Sequence, residues 1–465
     1  MTAESFDAVV IGAGQSGPFL AAKLAASGLR TALVEKRRLG GTCVNDGCIP
    51  TKALVASARA AWVVQNAARW GVHVEGAVRV DMKEVKARKD QVVQASRDSL
   101  ASWLGNLERL TLVDGHARFV DPHTVVVSGG ASAGPERRLS ATRFFLNTGA
   151  RAVRPDLPGI GDVPLLTNTE MMDLDAAPEH LIILGGSYIG LEFGQMYRRF
   201  GSRVTILERG PQIIPRDDED VAAVVAEVLR GEGIDLRVGG AVERVEAGPG
   251  GSVRVHVGGQ VVEGTHLLSA VGRRPNSDDL GLDAAAVTRD RRGYIEVDDE
   301  LRTSQPHIFA LGDVNGRGAF THTSYNDYEI ALANLLHGGH RKVSDRIPIY
   351  GLYVDPPLGR VGLSAREARQ SGKRVLVGTR PMTKVGRAFE RGETFGFIKI
   401  LVDADSEQIL GAAILGVEGD EAVHTIADVM YARAPYTVLR DAVHAHPTVS
   451  ELIPTVLGDL RPLDG

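Results

Sequence analysis

Cys43 and Cys48 are the only cysteines in a chain of 465 residues, and the stretch that holds them reads GGTCVNDGCIPTKAL from Gly40 to Leu54. A close thiol pair can cycle between dithiol and disulfide, bind a soft metal ion, or be two inert buried side chains. Zinc would need two more soft ligands at finger or ribbon spacing; the sequence has none near the pair, so no metal site is expected. The pair alone leaves a redox centre and two inert thiols both open. Placed on a strand-to-helix turn, the two sulfurs could face one side, close enough to bridge. A helix N-terminus and a nearby acid/base would then help to hold a thiolate near neutral pH. Asp46 lies between the cysteines. A carboxylate close to two nascent thiolates would raise their pKa and repel anionic acceptors. The expected alternative is that it points to solvent or caps the following helix.

The elements that must position such a centre are legible in the pattern. DAVVIGAGQSGPFLAAKLAASGLRTALVEK runs strand, glycine turn, helix, strand, with Gly12, Gly14 and Gly17 in a full GxGxxG and Glu35 closing the second strand. Glycines let the backbone approach a pyrophosphate at a helix N-terminus, and a carboxylate at the next strand end takes a ribose hydroxyl. HLIILGGSYIGLEFGQMYRRFGSRVTILERG repeats the unit with Gly185, Ser187 in the middle position, Gly190, and Glu208 at the same spacing of 23 positions. Two dinucleotide sites in one chain suggest a flavin and a nicotinamide, one passing a hydride to the other. Further along, Asp313 follows an apolar strand, where it can hold a hydroxylated chain at the sheet edge or merely cap a turn. Val127–Arg138 and Glu246–Val253 read as exposed loops or hairpin turns, and from about Ile347 the pattern turns to alternating strands followed by helices.

Over essentially its whole length the chain resembles the class I pyridine nucleotide-disulfide oxidoreductases, the flavoproteins that include dihydrolipoamide dehydrogenase, glutathione reductase and mercuric reductase. The first glycine unit, GGTCVNDGCIPTKAL, FFLNTGARAVRP, GGSYIGLE, LLSAVGRRPN, TSQPHIFALGD and HAHPTVSEL carry the likeness. The resemblance implies an α/β fold with two Rossmann-like domains, for FAD and NAD(P), plus a C-terminal α+β dimerisation domain. The corresponding ranges are 1–155 and 277–346 for FAD, 156–276 for the nicotinamide and 347–465 for dimerisation. By the same resemblance Cys48 lies against the flavin and Cys43 attacks the substrate; Lys52 sits beside flavin N5 with Glu192 as its partner, and Tyr188 is an aromatic gate. Gly12, Gly14, Gly17, Glu35, Gly115, Thr148, Gly149, Asp313 and Thr321 would line the FAD site, and Gly185, Gly190, Glu208 and Gly272 the nicotinamide site. His446, oriented by Glu451, would come from the partner subunit of a homodimer and take the proton of the interchange thiol, the usual arrangement of nucleophile, base and orienting carboxylate.

The expected activity is transfer of a hydride from NAD(P)H through FAD to a Cys43–Cys48 disulfide, and on to a disulfide, a metal ion or another small acceptor. Gln15, Pro18, GRGAFTHTSYNDYEI and KVGRAFERGETFG resemble the mercuric-reductase-like subgroup that includes the copper(II) reductase of reactive-chlorine resistance. The alternatives are a dihydrolipoamide dehydrogenase and, behind it, a slow-turnover redox sensor. No cysteine follows Cys48, which argues against an efficient mercury relay. Glu208 favours a free ribose hydroxyl and hence NADH, although Arg209 beside it could reach a 2'-phosphate. A net charge of -5, with 43% hydrophobic and 24% charged residues, argues against a nucleic-acid partner. Neither a basic, apolar leader nor a membrane-length apolar run is present, so a cytoplasmic enzyme is expected.

Overall fold

The computed structural model describes residues 3–130 and 135–464; Ala131–Gly134, within one of the expected loops, lie outside the described residues. The chain forms two compact units. The first comprises Met1–Ala53, Lys86–Val153 and Gly272–Arg346. Its sheet sets Leu110–Asp114, Thr31–Glu35, Glu4–Ile11 and Arg137–Leu146 side by side and parallel, and Ile308–Ala310 joins the last of these, also in parallel. Thr124–Ser128 and His116–Asp121 extend the sheet antiparallel. The unbroken apolar runs have a simple cause: a parallel sheet is covered on both faces, so strands such as AVVI and FFL need no alternation. Val9, Val10, Phe144, Phe145 and Leu146 are fully buried. Leu20, Ala21 and Leu24 of helix Gly17–Ala26 pack with Val10 and Phe145, while Phe119 and Phe144 meet edge to face at 5.0 Å in a separate cluster.

In-register pairing aligns the strand ends. Ile11 is opposite Val34 and Leu146, and Leu146 is opposite Ala310. The residues just beyond these ends, Gly12, Glu35, Asn147 and Gly312–Asp313, therefore gather along one edge of the sheet, where ligands of open α/β sheets bind.

The second unit comprises Leu54–Val85, Arg154–Val271 and Ile347–Gly465. It holds a second parallel sheet in the order Asp235–Val238, Arg203–Glu208, His180–Leu184, His266–Ser269, Leu165–Leu166. Val242–Ala247, Val253–Val257 and Gln260–Gly264 form an antiparallel meander, so Glu246–Val253 is the expected hairpin turn. The C-terminal segment builds a six-stranded antiparallel sheet around Phe397–Asp403 and Ile409–Leu415, with helix Gly419–Tyr431 packed on it. Among the described residues no helix is long and apolar enough to cross a membrane.

Phe144 is fully buried at the centre of the first sheet. Phe144→Ala is expected to cost about 3–5 kcal/mol, read as a lower denaturant midpoint of the unfolding phase of the first unit.

Candidate active site

The edge of the first sheet is a tight glycine cradle. Gly12 has φ +98°, and a Cβ there would collide with the Asn147 carbonyl; a Cβ on Gly17 would collide with the Gly12 carbonyl. Only glycine permits this approach of turn, helix and neighbouring strand. Glu35 braces the turn, one carboxylate oxygen accepting from Ala13 N and the other from Arg37 N, both at 2.8 Å. A cleft of about 790 Å³ opens here, walled by Gly12, Gly14, Glu35, Gly115, Thr148 and Gly149 among others. Gly17, Asp313 and Thr321 are not part of its lining. Asp313 sits in the Gly312–Asn315 turn, where burial pushes its carboxyl up against the pull of Arg273 at 3.9 Å. The bare backbone, the helix N-terminus and the carboxylate at the strand end fit a dinucleotide of the FAD type.

One residue of this site has no role in the sequence reading. Asn147 is 5% exposed; its Oδ1 accepts from Gly17 N at 3.0 Å and Ser16 N at 3.3 Å, while its Nδ2 donates to Leu311 O at 2.9 Å. Its signal was a polar residue closing the apolar strand FFL in a motif singled out only as a whole.

The thiols stand in the same unit. Gly40 and Gly41, both at positive φ, turn the chain into the short helix Gly41–Asn45, and Cys48 opens helix Cys48–Gln65. Cys43 is half-buried, Cys48 is exposed, and both are free. Thr321 Oγ1 lies 3.0 Å from Cys48 Sγ, and the two thiols are near enough to set each other's charge. The Cys43 hydrogen bond, then Thr321 and the Lys52 charge, outweigh burial and lower Cys48 to about 6. Cys43 is driven upward by its hydrogen bond to Cys48 and by burial. The reduced pair thus carries its first negative charge on Cys48, and Cys43 keeps its proton. Asp46 is held by Arg37 at 3.2 Å, with little of its carboxylate exposed. It is therefore not the solvated side chain that was one of the expectations. The loop itself is pinned by Asn45, which donates to Leu39 O and Gly41 O and accepts from Arg97 at 2.6 Å.

The second unit repeats the glycine cradle. Gly185, φ +106°, would place a Cβ 2.5 Å from Ala270 O, and Gly190 packs against the Gly185 carbonyl. Glu208 accepts from Gly186 N and Gly210 N, each at 2.7 Å, while Arg209 is exposed. Ser187, in the middle position, precedes helix Tyr188–Arg199 in extended conformation without a side-chain cap. Tyr188 opens the helix and Glu192 is buried on it, accepting from Tyr353 N at 3.0 Å. Gly272, expected at the nicotinamide site, belongs to the first unit, where its carbonyl accepts from Val153 N at 3.0 Å. His446 Nδ1 lies 2.9 Å from Glu451 Oε2, and the ring is 77% exposed. Arg387 donates twice to Pro447 O beside it, a contact the sequence did not suggest. Among the described residues no group of three or more His, Cys, Asp or Glu side chains could hold a metal ion.

Residues 6–328 match the family model described as pyridine nucleotide-disulphide oxidoreductase, and residues 349–457 match the dimerisation domain of that family. The probable pyridine nucleotide-disulfide oxidoreductase RclA of Escherichia coli (strain K12) is 37% identical over 96% of this chain and 97% of its own length. The dihydrolipoyl dehydrogenase of Chlamydia muridarum is 32% identical over 97% of this chain and 95% of its own. A mercuric reductase of Bacillus cereus is 30% identical, over 94% of this chain and 70% of its own. Among solved structures, the Cu(II) complex of the HOCl-induced flavoprotein disulfide reductase RclA from Escherichia coli aligns with TM-score 0.89 at 36% identity, over 98% of this chain and 99% of that one.

Two glycine-cradled parallel sheets, a close cysteine pair and these matches define an FAD-dependent, NAD(P)H-linked oxidoreductase acting on sulfur groups. The chain belongs to the pyridine nucleotide-disulphide oxidoreductases, as the sequence motifs implied. The dimerisation domain supports a homodimer.

Two outcomes follow from this geometry. In the reduced protein, ultraviolet thiolate absorbance should rise with a first midpoint near pH 6 and fade as pH drops through it. Cys48→Ser should remove that step, and Thr321→Val should move it to higher pH. Asn147→Leu leaves two backbone N–H groups of the glycine turn without their acceptor and should weaken FAD retention by about tenfold or more, measured by flavin release on dilution.

Proposed function

We propose that this protein is a reductase that moves electrons from NADH to a small acceptor through Cys43 and Cys48, with His446 of the partner subunit as acid/base. The observation that carries the reading is the placement of the thiol pair: Cys48 opens a helix with Thr321 Oγ1 3.0 Å from its Sγ and is drawn down to about 6, while Cys43 beside it is pushed up. Segments 1–155 and 277–346 would hold FAD, 156–276 the nicotinamide nucleotide, and 347–465 the dimer contact. Bound FAD supplies a carrier that takes a hydride from the nucleotide and delivers two electrons to the disulfide. Cys48 would face the flavin, with Lys52 and Glu192 setting the local charge. With a disulfide acceptor, Cys43 gives its proton to His446 of the partner subunit and attacks one acceptor sulfur. The acceptor S–S bond breaks, a Cys43–acceptor disulfide forms, and the leaving thiolate takes the proton back. Cys48 thiolate then attacks Cys43 Sγ, re-forming the Cys43–Cys48 bond and expelling the second acceptor thiolate, which a solvent proton neutralises. Per turnover, NADH, one proton and one disulfide become NAD⁺ and two thiols.

Glu208, with each oxygen taken by a backbone N–H, occupies the strand end where a 2'-phosphate would have to sit, which supports NADH over NADPH. The likeness to RclA in sequence and structure supports a stress-related or general reductase, with Cu(II) among the acceptors to be tried. The second reading, a dihydrolipoyl dehydrogenase, has the His446–Glu451 pair and relatives at 32–34% identity in its favour. A cytoplasmic setting would suit free thiols.

One panel separates the readings: NADH or NADPH as donor against lipoamide, a low-molecular-weight disulfide, Cu(II) and a quinone. The expected outcome is Cu(II) or a small disulfide ahead of lipoamide, abolished in Cys43→Ser, with NADH ahead of NADPH. A preference for NADPH of about tenfold in kcat/KM would remove the argument from Glu208. Lipoamide as the best acceptor by a similar factor would select the second reading.

A further inference from the structure

Beside the second glycine turn lies a carboxylate that no step above uses. Asp217 has no exposed side-chain surface. Tyr188, first residue of the helix that leaves the turn, donates its phenol to Asp217 Oδ2 at 2.7 Å. Tyr350 donates to Oδ1 at 3.2 Å, and buried Arg360 places Nε 3.7 Å from the same oxygen. The two tyrosine rings meet edge to face, centroids 5.8 Å apart at 67°. The loop that carries Asp217 is itself fastened to the turn: Asp217 N donates to Ile214 O at 2.9 Å, and Ile214 N to Gly186 O at 2.8 Å. Asp217 therefore ties the first side chain of the helix back to the backbone of the glycine turn.

The chemistry of the cluster favours a durable tether. Burial, followed by the Asp217 charge, drives the Tyr188 phenol far up, so it keeps its proton and remains a donor. Burial also raises Asp217, while the two phenols and Arg360 favour its charged form. Hydrogen bonds to an ionised acceptor are about twice as strong as neutral ones. A side chain fixed in advance spares the ligand the cost of ordering it.

We propose that Asp217 is a positioning residue for the nicotinamide nucleotide: it holds the Tyr188 ring in one orientation at the start of the second dinucleotide turn, with Tyr350 and Arg360 fixing Asp217 in place. This rests on the reading that NAD(P)H occupies the Gly185–Gly190 turn. Freeing the ring makes nucleotide binding pay for its ordering, so the loss falls on affinity and KM more than on kcat.

The test compares wild type, Asp217→Asn, Tyr350→Phe, Tyr188→Phe and the double variant Tyr188→Phe/Asp217→Asn as FAD-loaded dimers. Calorimetric titration with NAD⁺ gives Kd, and steady-state turnover with NADH separates KM from kcat. Asp217→Asn should weaken NAD⁺ binding about threefold to tenfold, Tyr350→Phe less, and the double variant should bind no more weakly than Tyr188→Phe alone. Equal losses in both backgrounds would show that Asp217 acts by a route other than the phenol. Tighter binding would show a ring that obstructs the nucleotide; either result overturns the proposal. Unaltered affinity in Asp217→Asn, with wild-type binding intact, overturns the tether alone. Tyr350→Phe keeps the test sharp should Asp217→Asn lower the melting temperature. A wild-type dimer that binds no nicotinamide nucleotide overturns the functional reading itself.

Discussion

The glycine cradle of the first unit depends on one buried amide. Asn147 ends a central strand, its backbone N–H donating to Ile11 O at 2.8 Å, and its side chain accepts from the two N–H groups that close the first glycine turn and open the helix. The same side chain donates to Leu311 O, the residue before Gly312 and Asp313. Three segments far apart in sequence are thus held by the hydrogen bonds of a single Asn. A helix N-terminus presents unpaired N–H groups, and an amide oxygen satisfies two of them without placing a charge at a terminus that favours anions. An aspartate would accept as well, yet would repel the phosphates; a leucine would satisfy neither N–H. Ser16 and Ser324, hydrogen-bonded at 2.8 Å, close the same seam.

The thiol pair shows how charge is allotted between two chemically identical groups. Partial burial pushes both upward. Thr321 favours the charged form of both; the difference is that Cys48 begins a helix and feels Lys52, so the charge settles there and Cys43 keeps its proton. Asp46, by spacing the obvious threat to a thiolate, is neutralised by Arg37, itself two residues beyond Glu35. The carboxylate that closes the second strand also accepts from Arg37 N, so the strand-end Glu35 and the cysteine loop share one arginine.

Much of this was legible in the sequence because it rests on local rules. Glycines that must adopt positive φ or meet a carbonyl, a Glu at the end of the next strand, and a five-residue step from His446 to Glu451 are all written in adjacent residues, and the structure places them together in each unit. Asn147, Asp217 and Arg387 were not legible, for a common reason: each acts on a residue distant along the chain or on a backbone carbonyl, and neither leaves a spacing pattern. Asp217 was further masked by RDDED, a run that reads as a solvated acidic face, whereas its side chain is fully buried. For Asp46, sequence proximity to two cysteines said nothing about the ion pair with Arg37.

The helix that leaves the second glycine turn carries the same lesson in one element. Tyr188, Glu192, Gln195 and Arg199 fall at i, i+4, i+7 and i+11, one stripe of the helix, and an amphipathic reading would turn such polar residues to solvent. Glu192, Gln195 and Arg199 are instead buried. Glu192 accepts from Tyr353 N at 3.0 Å; Gln195 exchanges two hydrogen bonds with the Asp355 backbone, at 2.8 and 2.9 Å; and Arg199 meets the Asp355 carboxylate at 2.6 Å. Tyr188 adds Asp217, which Tyr350 also holds. Every rung reaches the same stretch, residues 350–355. Buried polar contacts of this kind are weak arguments for stability, since apolar packing would serve as well, but they accept only one register. Here the register matters, because a helix displaced by one residue would carry the glycine turn, the Glu208 acceptor geometry and the Tyr188 ring with it.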